Sequence, residues 1–283
     1  MKVFKEITAL RSFLHQAENR ALRIGLVPTM GALHKGHLAL ISASKANNDL
    51  TVCSIYVNPT QFNNPADLEK YPRTLDEDIA LLSENGCDVL FAPQNSIMYP
   101  NASDITIDFG ALDKVYEGEF RPSHFSGVGL VVSKLFNIVK PTRAYFGQKD
   151  FQQLAVIKKL AEELMFDIEI KSVATVREPN GLAMSSRNLR LSHQQREKAT
   201  VFYQSLLDAR KQLFSGNMWQ EIQFHIEQKI NAIEEVRLEY LALADTTNLK
   251  PLENVSNPHD KAVILVAGYV GEVRLIDNLL VNE

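Results

Sequence analysis

The stretch LVPTMGALHKGHLALI, from Leu26 to Ile41, decides the fold of this chain. Apolar residues lead up to Pro28, a glycine follows three positions later, and from His34 onward apolar residues recur at helical intervals. This change of period predicts a buried strand that ends at Pro28, then a tight turn, then a helix. Two histidines, His34 and His37, stand at the predicted start of the helix.

The first turn of that helix is a candidate phosphate site. A helix N-terminus offers unpaired backbone N–H groups and the positive end of the helix dipole, which together favour an anion. His34 and His37 share one face of the turn, and Gly36 between them lets a ligand approach the backbone closely. The spacing of Gly31 and Gly36 imitates a P-loop, but the expected Lys and Ser/Thr are absent, so this is not a Walker motif.

Other interpretations of the two histidines stay open on the residues alone. They can be ordinary polar residues at a helix start. A zinc site is disfavoured because no third His, Cys or acidic residue is spaced to complete it. The strand–turn–helix context favours phosphate binding, and H-x-G-H resembles the "HIGH" signature of the nucleotidyltransferase and class I aminoacyl-tRNA synthetase superfamily, in which such histidines contact ATP phosphates.

Length and composition narrow the class of protein. The 283 residues suffice for one large or two ordinary domains, and 45% hydrophobic with 23% charged residues is typical of a soluble globular protein. A net charge of -4 argues against nucleic acid as the main partner. Because long apolar runs and an export signal are missing, we expect no membrane span and a cytoplasmic location. Cys53 and Cys87 lie in apolar, strand-like surroundings, which predicts buried, reduced thiols.

Alternating strand and helix patterns predict an α/β fold, a Rossmann-like, doubly wound parallel sheet. After an amphipathic helix at residues 4–20, strands are predicted at 50–57, 88–93, 143–146 and 168–176. Ligands bind beyond the carboxyl ends of parallel strands, so Asn58 to Phe62 should open onto the same crevice as His34.

The C-terminal third predicts a smaller α+β domain. Helices are expected near residues 192–214 and 218–233, and strands near 236–244, 261–267 and 272–279. The turn from Glu178 to Gly181 is a natural boundary. We therefore assign residues 1–177 to a nucleotide-binding domain and residues 178–283 to a smaller lid domain that closes over the crevice.

Two further segments carry candidate site residues. Lys149 follows a predicted strand and the turn at Gly147, so its ammonium group should project near a phosphate. Asp150 is a helix N-cap or a nucleotide contact, and Gln153 can reach a substrate hydroxyl or carboxylate. The segment Met184–Asn188, MSSRN, is an ordinary loop or a phosphate site, in which two hydroxyls and a guanidinium wrap phosphate oxygens.

Several charged residues have a structural interpretation beside a functional one. Thr74 and Glu77 predict a capping box that opens a helix. The acidic run from Asp76 to Asp78 is interpreted as capping and solvated charge, with a magnesium site as the alternative. We interpret Arg121 as a solvated loop residue, with anion attraction as the alternative, and His124 as structural rather than catalytic.

The motifs in order resemble the pantothenate synthetase family, also called pantoate–β-alanine ligases, over nearly the whole chain. The matching segments are PTMGALHKGH, VNPTQF, YPRT, FGQKDFQQL, MSSRN and RLIDN. The resemblance implies a Rossmann-like domain with a smaller C-terminal domain, paired into a homodimer. It also implies that ATP, accompanied by Mg²⁺, converts pantoate to pantoyl adenylate with loss of pyrophosphate, and that the amine of β-alanine then displaces AMP to give pantothenate.

Carried onto this sequence, the resemblance also implies a set of site residues. The catalytic residues are His34, His37, Lys149, Ser185, Ser186 and Arg187. The ATP-binding residues are Met30, Gly31, Ala32, Leu33, His34, Lys35, Gly36, His37, Gly147, Gln148, Lys149, Asp150, Val176, Met184, Ser185, Ser186 and Arg187. Gln61 and Gln153 hold pantoate, while the ligands of magnesium do not follow. Tyr56 stands where the family often has Phe, and Ser123 where it often has Gly.

Two other functions remain compatible with the nucleotide motifs alone. One is a different nucleotidyltransferase, which gives a dinucleotide product instead of an amide. The other is a nucleotide-binding regulator that performs no chemistry. The identity of the acid that elicits pyrophosphate release from ATP separates these three functions.

Overall fold

The computed structural model describes residues 1–18, 20–255 and 261–282. The chain divides into two compact units. The first comprises Met1–Gln148 and Gln152–Ala174, and the second comprises Lys149–Phe151 and Thr175–Glu283. Each unit has its own sheet, so each is described separately.

The first unit alternates strands and helices, as its sequence pattern predicts. Its described elements are β1 (Lys2–Phe4), α1 (Ile7–Glu18), β2 (Ile24–Thr29), α2 (Lys35–Asn47), β3 (Leu50–Ile55), α3 (Pro65–Glu69), α4 (Leu75–Glu84), β4 (Val89–Phe91), α5 (Asn95–Met98), α6 (Glu117–Phe120), α7 (His124–Val139), β5 (Arg143–Gly147), α8 (Phe151–Glu163) and β6 (Glu169–Val173), with 3₁₀ helices at Pro59–Gln61 and Gly110–Asp113.

The strands of the first unit form a parallel sheet in the order β1-β4-β3-β2-β5-β6, which confirms the predicted fold class. The chain runs outward from β2 on one side and from β5 on the other, so the topological switch point lies between these two strands. Pairing of β2 with β3 continues to Thr29, whereas its pairing with β5 involves only Gly25 and Leu26. The carboxyl ends of β2 and β5 therefore flank the expected ligand position.

Two boundaries near the N-terminus differ from the prediction. Pro28 does not end the strand but lies inside β2, paired with Ser54. Proline is tolerated there because it lies beyond Leu26, the last β2 residue paired with β5. The first helix begins at Ile7 rather than at residue 4, because Lys2–Phe4 forms a parallel edge strand on β4. Three residues are too few for a strand period to show in the sequence.

The core of the first unit lies between its sheet and helices. Cys53 and Cys87 are both buried free thiols, which confirms the prediction for them. Burial raises the pKa of the Cys53 thiol and raises that of Cys87 to about 11. Among the described helices of the whole chain, we find none with the length and apolar character needed to cross a membrane.

The second unit is a three-stranded antiparallel sheet with helices. After a 3₁₀ helix at Ser186–Arg190 come α9 (His193–Phe214), α10 (Trp219–Asn231), β7 (Val236–Asp245), β8 (Ala262–Val270) and β9 (Val273–Leu280). The strand order is β7-β8-β9, and the predicted α+β class of this part is confirmed. Ile222, Ile226 and Ile230 recur every four residues on α10 and are fully buried, so one face of that helix packs into the core.

Candidate active site

The loop after β2 has an unusual backbone that the sequence around Gly31 makes possible. The Thr29 hydroxyl donates to the carbonyl of Ser54 at 2.8 Å and lies 3.3 Å from the Gly31 N–H, which donates to it. Gly31 and Ala32 follow each other with φ of +80° and +50°. A Cβ at position 31 would lie 2.9 Å from Oδ2 of Asp78, so both conformation and space require glycine.

The carboxylate of Asp78, on α4, binds this loop. It accepts the N–H of Ala32 at 3.0 Å through Oδ2 and that of Leu33 at 2.8 Å through Oδ1, and the residue is 1% exposed. The interpretation of the whole acidic run as solvated charge is therefore wrong for Asp78. The helical period explains the difference, because Asp78 and the buried Leu82 are one turn apart on the same face.

The predicted capping box of α4 is also wrong. Thr74 is the N-cap residue, but its side chain makes no capping hydrogen bond with the described residues. Its ψ of 47° differs from the extended backbone of most capped N-termini, which explains why the hydroxyl does not reach the first turn. Asp76 and Glu77 are exposed, as expected for charges on the solvated face.

The two histidines form a reciprocal cap at the start of α2. Nδ1 of His34, the N-cap residue, accepts the Gly36 N–H at 3.1 Å, and Nδ1 of His37 accepts the His34 N–H at 3.3 Å. The ring centroids are 4.1 Å apart. A ring nitrogen that accepts a hydrogen bond carries no proton, so the proton of each neutral imidazole resides on Nε2. Both rings are thereby oriented as Nε2–H donors.

These contacts change how an anion can be bound here. Five backbone N–H groups here already donate hydrogen bonds to side chains of the protein. They belong to Gly31, Ala32, Leu33, His34 and Gly36. The expectation that unpaired N–H groups of this turn form the phosphate cradle is therefore wrong for these five donors. An anion at this turn therefore needs donors other than these five N–H groups.

Gln61, the last residue of the 3₁₀ helix Pro59–Gln61 that follows β3, lies beside the first loop. Its Nε2 is 3.1 Å from Sδ of Met30, and its Oε1 accepts from Nδ2 of Asn58 at 3.2 Å. Nδ1 of the buried His124 lies 2.8 Å from the Gln61 carbonyl oxygen, in agreement with a structural role for that histidine. Sequence reasoning missed that Asn58, 1% exposed, positions Gln61, although an Asn-Pro pair after a buried strand is a usable signal.

The hydroxyl of Tyr56 has a partner within the first unit. Tyr56 donates to Oδ1 of Asn95 at 2.6 Å, and its ring lies 6.4 Å from that of Tyr99. Burial raises the pKa of both tyrosines, so both hydroxyls stay protonated at neutral pH. Nζ of Lys134 lies 3.7 Å from the centroid of the Tyr99 ring. The hydroxyl of Tyr56 is thus hydrogen-bonded inside this unit.

The loop before α7 also differs from the expectation. Nη1 of Arg121 lies 3.8 Å from Oε2 of Glu117, and the two side chains are only 20% and 8% exposed. The interpretation of Arg121 as a solvated residue is therefore wrong, because its charge is paired with a buried carboxylate. Ser123 adopts φ of +66°, a left-handed conformation, which explains why glycine suits this position.

Gly147 ends β5 at the topological switch point. It has no positive φ, and a Cβ built on it meets no heavy atom of the described residues within 4 Å, apart from its two chain neighbours. By contrast, a Cβ at Gly127 would lie 2.4 Å from the carbonyl oxygen of Thr60. Neither backbone strain nor crowding requires a glycine at position 147, so the space in front of it suits a close ligand.

The two glutamines at the start of α8 have different roles. Gln152, 3% exposed, accepts the Glu117 N–H at 3.0 Å and donates to the carbonyls of Leu112 and Val115, both at 2.8 Å. Gln153 is half-buried, and its amide makes no hydrogen bond with the described residues. Gln152 therefore has a structural role, whereas the amide of Gln153 has capacity to bind a substrate.

In the second unit, a hairpin brings together Val176 and the MSSRN segment. The Met184 N–H donates to the Val176 carbonyl at 2.9 Å. The segment is not an irregular loop, because Ser186–Arg190 forms a 3₁₀ helix capped by the Ser185 hydroxyl, which accepts the Arg187 N–H at 3.2 Å. Ser186 is buried and Arg187 is half-buried.

The carbonyl and side chain of Asn188 anchor this short helix. Nδ2 of Asn188 donates to Oε1 of Glu178 and to the Ala183 carbonyl, both at 3.0 Å. Nη2 of Arg196 donates to the Asn188 carbonyl at 3.0 Å. Asn188 is 3% exposed, so its place in the MSSRN motif is explained by the fold of the second unit.

The RLIDN motif supplies a second anchor in the same unit. Asp277, 6% exposed, accepts two hydrogen bonds from the Arg177 guanidinium at 2.6 and 3.0 Å. Burial raises the pKa of Asp277, and the nearby Arg177 acts in the opposite direction. Nδ2 of Asn278 donates to the Lys149 carbonyl at 2.8 Å. Nζ of Lys149 lies 3.6 Å from Oδ1 of Asp150.

The described residues contain no group of three or more His, Cys, Asp or Glu side chains arranged to hold a metal ion. Mg²⁺ keeps several water ligands and is commonly bound through substrate phosphates with one or two carboxylates. The composition of the candidate site therefore fits magnesium that arrives with a nucleotide better than an all-protein metal cage.

Comparison with known proteins identifies the family. The model of the pantoate-beta-alanine ligase family matches residues 2–280. A pantothenate synthetase of Cytophaga hutchinsonii is 45% identical and covers 97% of each chain. The crystal structure of pantothenate synthetase from Thermus thermophilus matches with 42% identity, a TM-score of 0.91 and 100% of each chain covered. That of pantoate-beta-alanine ligase from Francisella tularensis, complexed with beta-gamma ATP and beta-alanine, matches with 37% identity, a TM-score of 0.83 and 100% and 98% covered. This chain belongs to the pantoate–β-alanine ligase family.

Proposed function

We propose that this chain joins (R)-pantoate to β-alanine at the expense of ATP. A pantoate carboxylate oxygen attacks the α-phosphorus, and pyrophosphate leaves to give pantoyl adenylate. The amine of β-alanine then attacks the acyl carbon, and AMP leaves with formation of the amide, pantothenate. Family membership and the ATP and β-alanine named for the Francisella protein support this proposal.

The observation that carries the proposal is the reciprocal cap of His34 and His37. Each ring accepts a backbone N–H at Nδ1, so its orientation is fixed and its proton resides on Nε2, and a donor of fixed direction suits the negative charge that develops on a departing pyrophosphate. Fixed donors of this kind are worth about 3 kcal/mol each in the transition state. The mechanism requires no covalent nucleophile on the enzyme.

The remaining residues are assigned by the same proposal. Lys149 and Arg187 add positive charge at the phosphates, and the hydroxyls of Ser185 and Ser186 donate hydrogen bonds to them. The other nucleotide contacts come from Met30–His37, Gly147–Asp150, Val176 and Met184. The space in front of Gly147 supports a close approach of the nucleotide.

Pantoate is assigned to two amides of the first unit. Gln61 and Gln153 hold its hydroxyl and carboxylate oxygens, and Gln61 also lies near β-alanine. The contact of Gln61 with Met30 supports this assignment, because it places the amide beside the nucleotide loop. The Gln153 amide, which makes no hydrogen bond with the described residues, also has capacity to bind pantoate.

The wider setting of the reaction is also part of the proposal. Mg²⁺ enters with ATP as part of the substrate, and its protein ligands are left unassigned. Residues 178–283 act as a lid domain, because an acyl adenylate must be kept from water. The enzyme works as a cytoplasmic homodimer.

Incubation with ATP, Mg²⁺ and pantoate tests the proposal. We expect pyrophosphate release and pantoyl adenylate, with AMP and pantothenate appearing once β-alanine is added. A protein that releases pyrophosphate only with a nucleotide acceptor would instead be another nucleotidyltransferase. A protein that binds ATP without turnover with pantoate would be a regulator.

A further inference from the structure

Asp78 has a place in the structure that the reaction steps do not use. Its carboxylate is almost fully buried in the first unit and accepts two consecutive backbone N–H groups, those of Ala32 and Leu33. Burial of an ionised carboxylate is costly unless hydrogen bonds compensate it. Because both compensating hydrogen bonds come from one short loop, the free energy of burying the Asp78 carboxylate depends on the conformation of that loop.

The loop depends on such a support. Gly31 and Ala32 both have positive φ, and a non-glycine residue in that conformation is strained by about 1 kcal/mol or more. The two oxygens of one carboxylate, each bound to a successive N–H, fix the orientation of the peptide planes on either side of Ala32. His34, the N-cap residue of α2, directly follows Leu33.

We infer that Asp78 is a positioning residue for the ATP site, acting through the Met30–His37 loop. The inference rests on the proposed function. Asp78 has both oxygens engaged with the loop, whereas Asp76 and Glu77 on the same helical turn are exposed. Loss of the carboxylate frees the loop, so the imidazoles of His34 and His37 are no longer held in one arrangement.

The substitution Asp78→Asn tests this inference, because it retains the size of the side chain but faces one loop N–H with an NH₂ group. We expect ATP affinity, measured by calorimetry without pantoate, to fall at least tenfold. Pyrophosphate release should slow by a similar factor. The second half-reaction is started with supplied pantoyl adenylate and β-alanine. Its KM for β-alanine should change less than twofold, because no pyrophosphate departs in this step.

Asp76→Asn is the matched control, since it makes the same charge change on the exposed face of the same turn. We expect wild-type ATP affinity for this variant. Equal losses in Asp76→Asn and Asp78→Asn would overturn the inference in favour of an acidic metal site. Unchanged ATP affinity in Asp78→Asn, or an equal fall in both half-reactions, would also overturn it.

A second variant keeps the test decisive if Asp78→Asn does not fold, as judged by circular dichroism. Gly31→Ala retains the carboxylate but places a Cβ 2.9 Å from its Oδ2, so it disturbs the same contact from the loop side. We expect the same loss of ATP affinity, and wild-type affinity would contradict the inference. A wild-type protein that binds ATP but releases no pyrophosphate with pantoate would refute only the proposed function. One that binds no ATP would refute both.

Discussion

Two buried aspartates support the two candidate phosphate-binding segments, and they do so in different ways. Asp78 in the first unit binds neutral peptide N–H groups of the loop itself. Asp277 in the second unit binds the guanidinium of Arg177, which also donates to the Gly181 carbonyl at 3.1 Å and stacks on Tyr203. The first carboxylate therefore fixes a backbone conformation, whereas the second fixes the packing of a hairpin.

This difference teaches what each support should contribute. A carboxylate that sets the course of a ligand-binding loop acts mainly on binding and catalysis. A buried ion pair removed on one side leaves an uncompensated charge and acts mainly on stability. We therefore expect changes around Asp78 to appear in ATP affinity and changes around Asp277 to appear in unfolding.

The largest effects are expected at the residues proposed to donate to the phosphates. His37→Ala and Arg187→Ala should each lower the rate of pyrophosphate release by about two to three orders of magnitude, because each removes a fixed donor to developing charge. Rates are measured with saturating pantoate and ATP, and circular dichroism checks the fold.

His193→Ala is the matched control for His37→Ala. His193 is an exposed histidine at the first residue of α9, so it shares the residue type and a helix-start position without a proposed role. We expect wild-type turnover for this control. Wild-type turnover in His37→Ala or Arg187→Ala would remove that residue from the catalytic set.

The second prediction concerns the stability of the second unit and tests the structural role of Asp277. Asp277→Ala should lower the free energy of unfolding of the second unit by about 3 kcal/mol, because the Arg177 guanidinium stays largely buried without its carboxylate. The chain has a single tryptophan, Trp219, which is 5% exposed in that unit. Its fluorescence in a urea titration reports the transition directly.

A surface ion pair of the same unit provides the control for Asp277→Ala. Lys198 and Glu235 lie 2.9 Å apart, with side chains 28% and 48% exposed. Glu235→Ala should change the unfolding free energy by less than about 1 kcal/mol, since exposed pairs contribute little. Equal losses in the two variants would contradict the structural role assigned to Asp277.

The smallest effect separates a glycine needed by a ligand from one needed by the backbone. Gly147→Ala should raise the KM for ATP by about tenfold, roughly 1.4 kcal/mol, while the melting temperature stays unchanged. Gly216, with φ of +85° and open space around it, gives the opposite case. Gly216→Ala should lower stability by about 1 kcal/mol without a change in ATP affinity. A lower melting temperature for Gly147→Ala at constant KM would show that the glycine serves the fold.

Much of the fold and part of the site follow from local sequence patterns. The parallel sheet and the α+β C-terminal part are predicted from the spacing of apolar residues. Strands and amphipathic helices impose periods of two and 3.6 residues locally. The two histidines also act locally, because residues three apart in a first helical turn can bond each other's backbone. Burial of Cys53 and Cys87 follows from their apolar neighbours for the same reason.

Contacts between distant residues could not be predicted in this way. The edge strand β1 depends on a partner 87 residues away, since Lys2 pairs with Val89. Asp78 binds residues 46 and 45 positions earlier in the chain. In the acidic run, the sequence does not show which of three carboxylates points inward, because that choice depends on the packing of α4 against the loop.

The sequence by itself determined the alternation of the longer strands and helices, the family and the residue types offered to a nucleotide, because each depends on short-range patterns. Only the tertiary structure decided which polar groups were already engaged. It bonded the N–H groups of Ala32 and Leu33 to a distant carboxylate and buried Asp78 and Asp277. The physical reason is that hydrogen bonds of buried groups must be satisfied by whatever the folded chain brings near, and that depends on three-dimensional proximity.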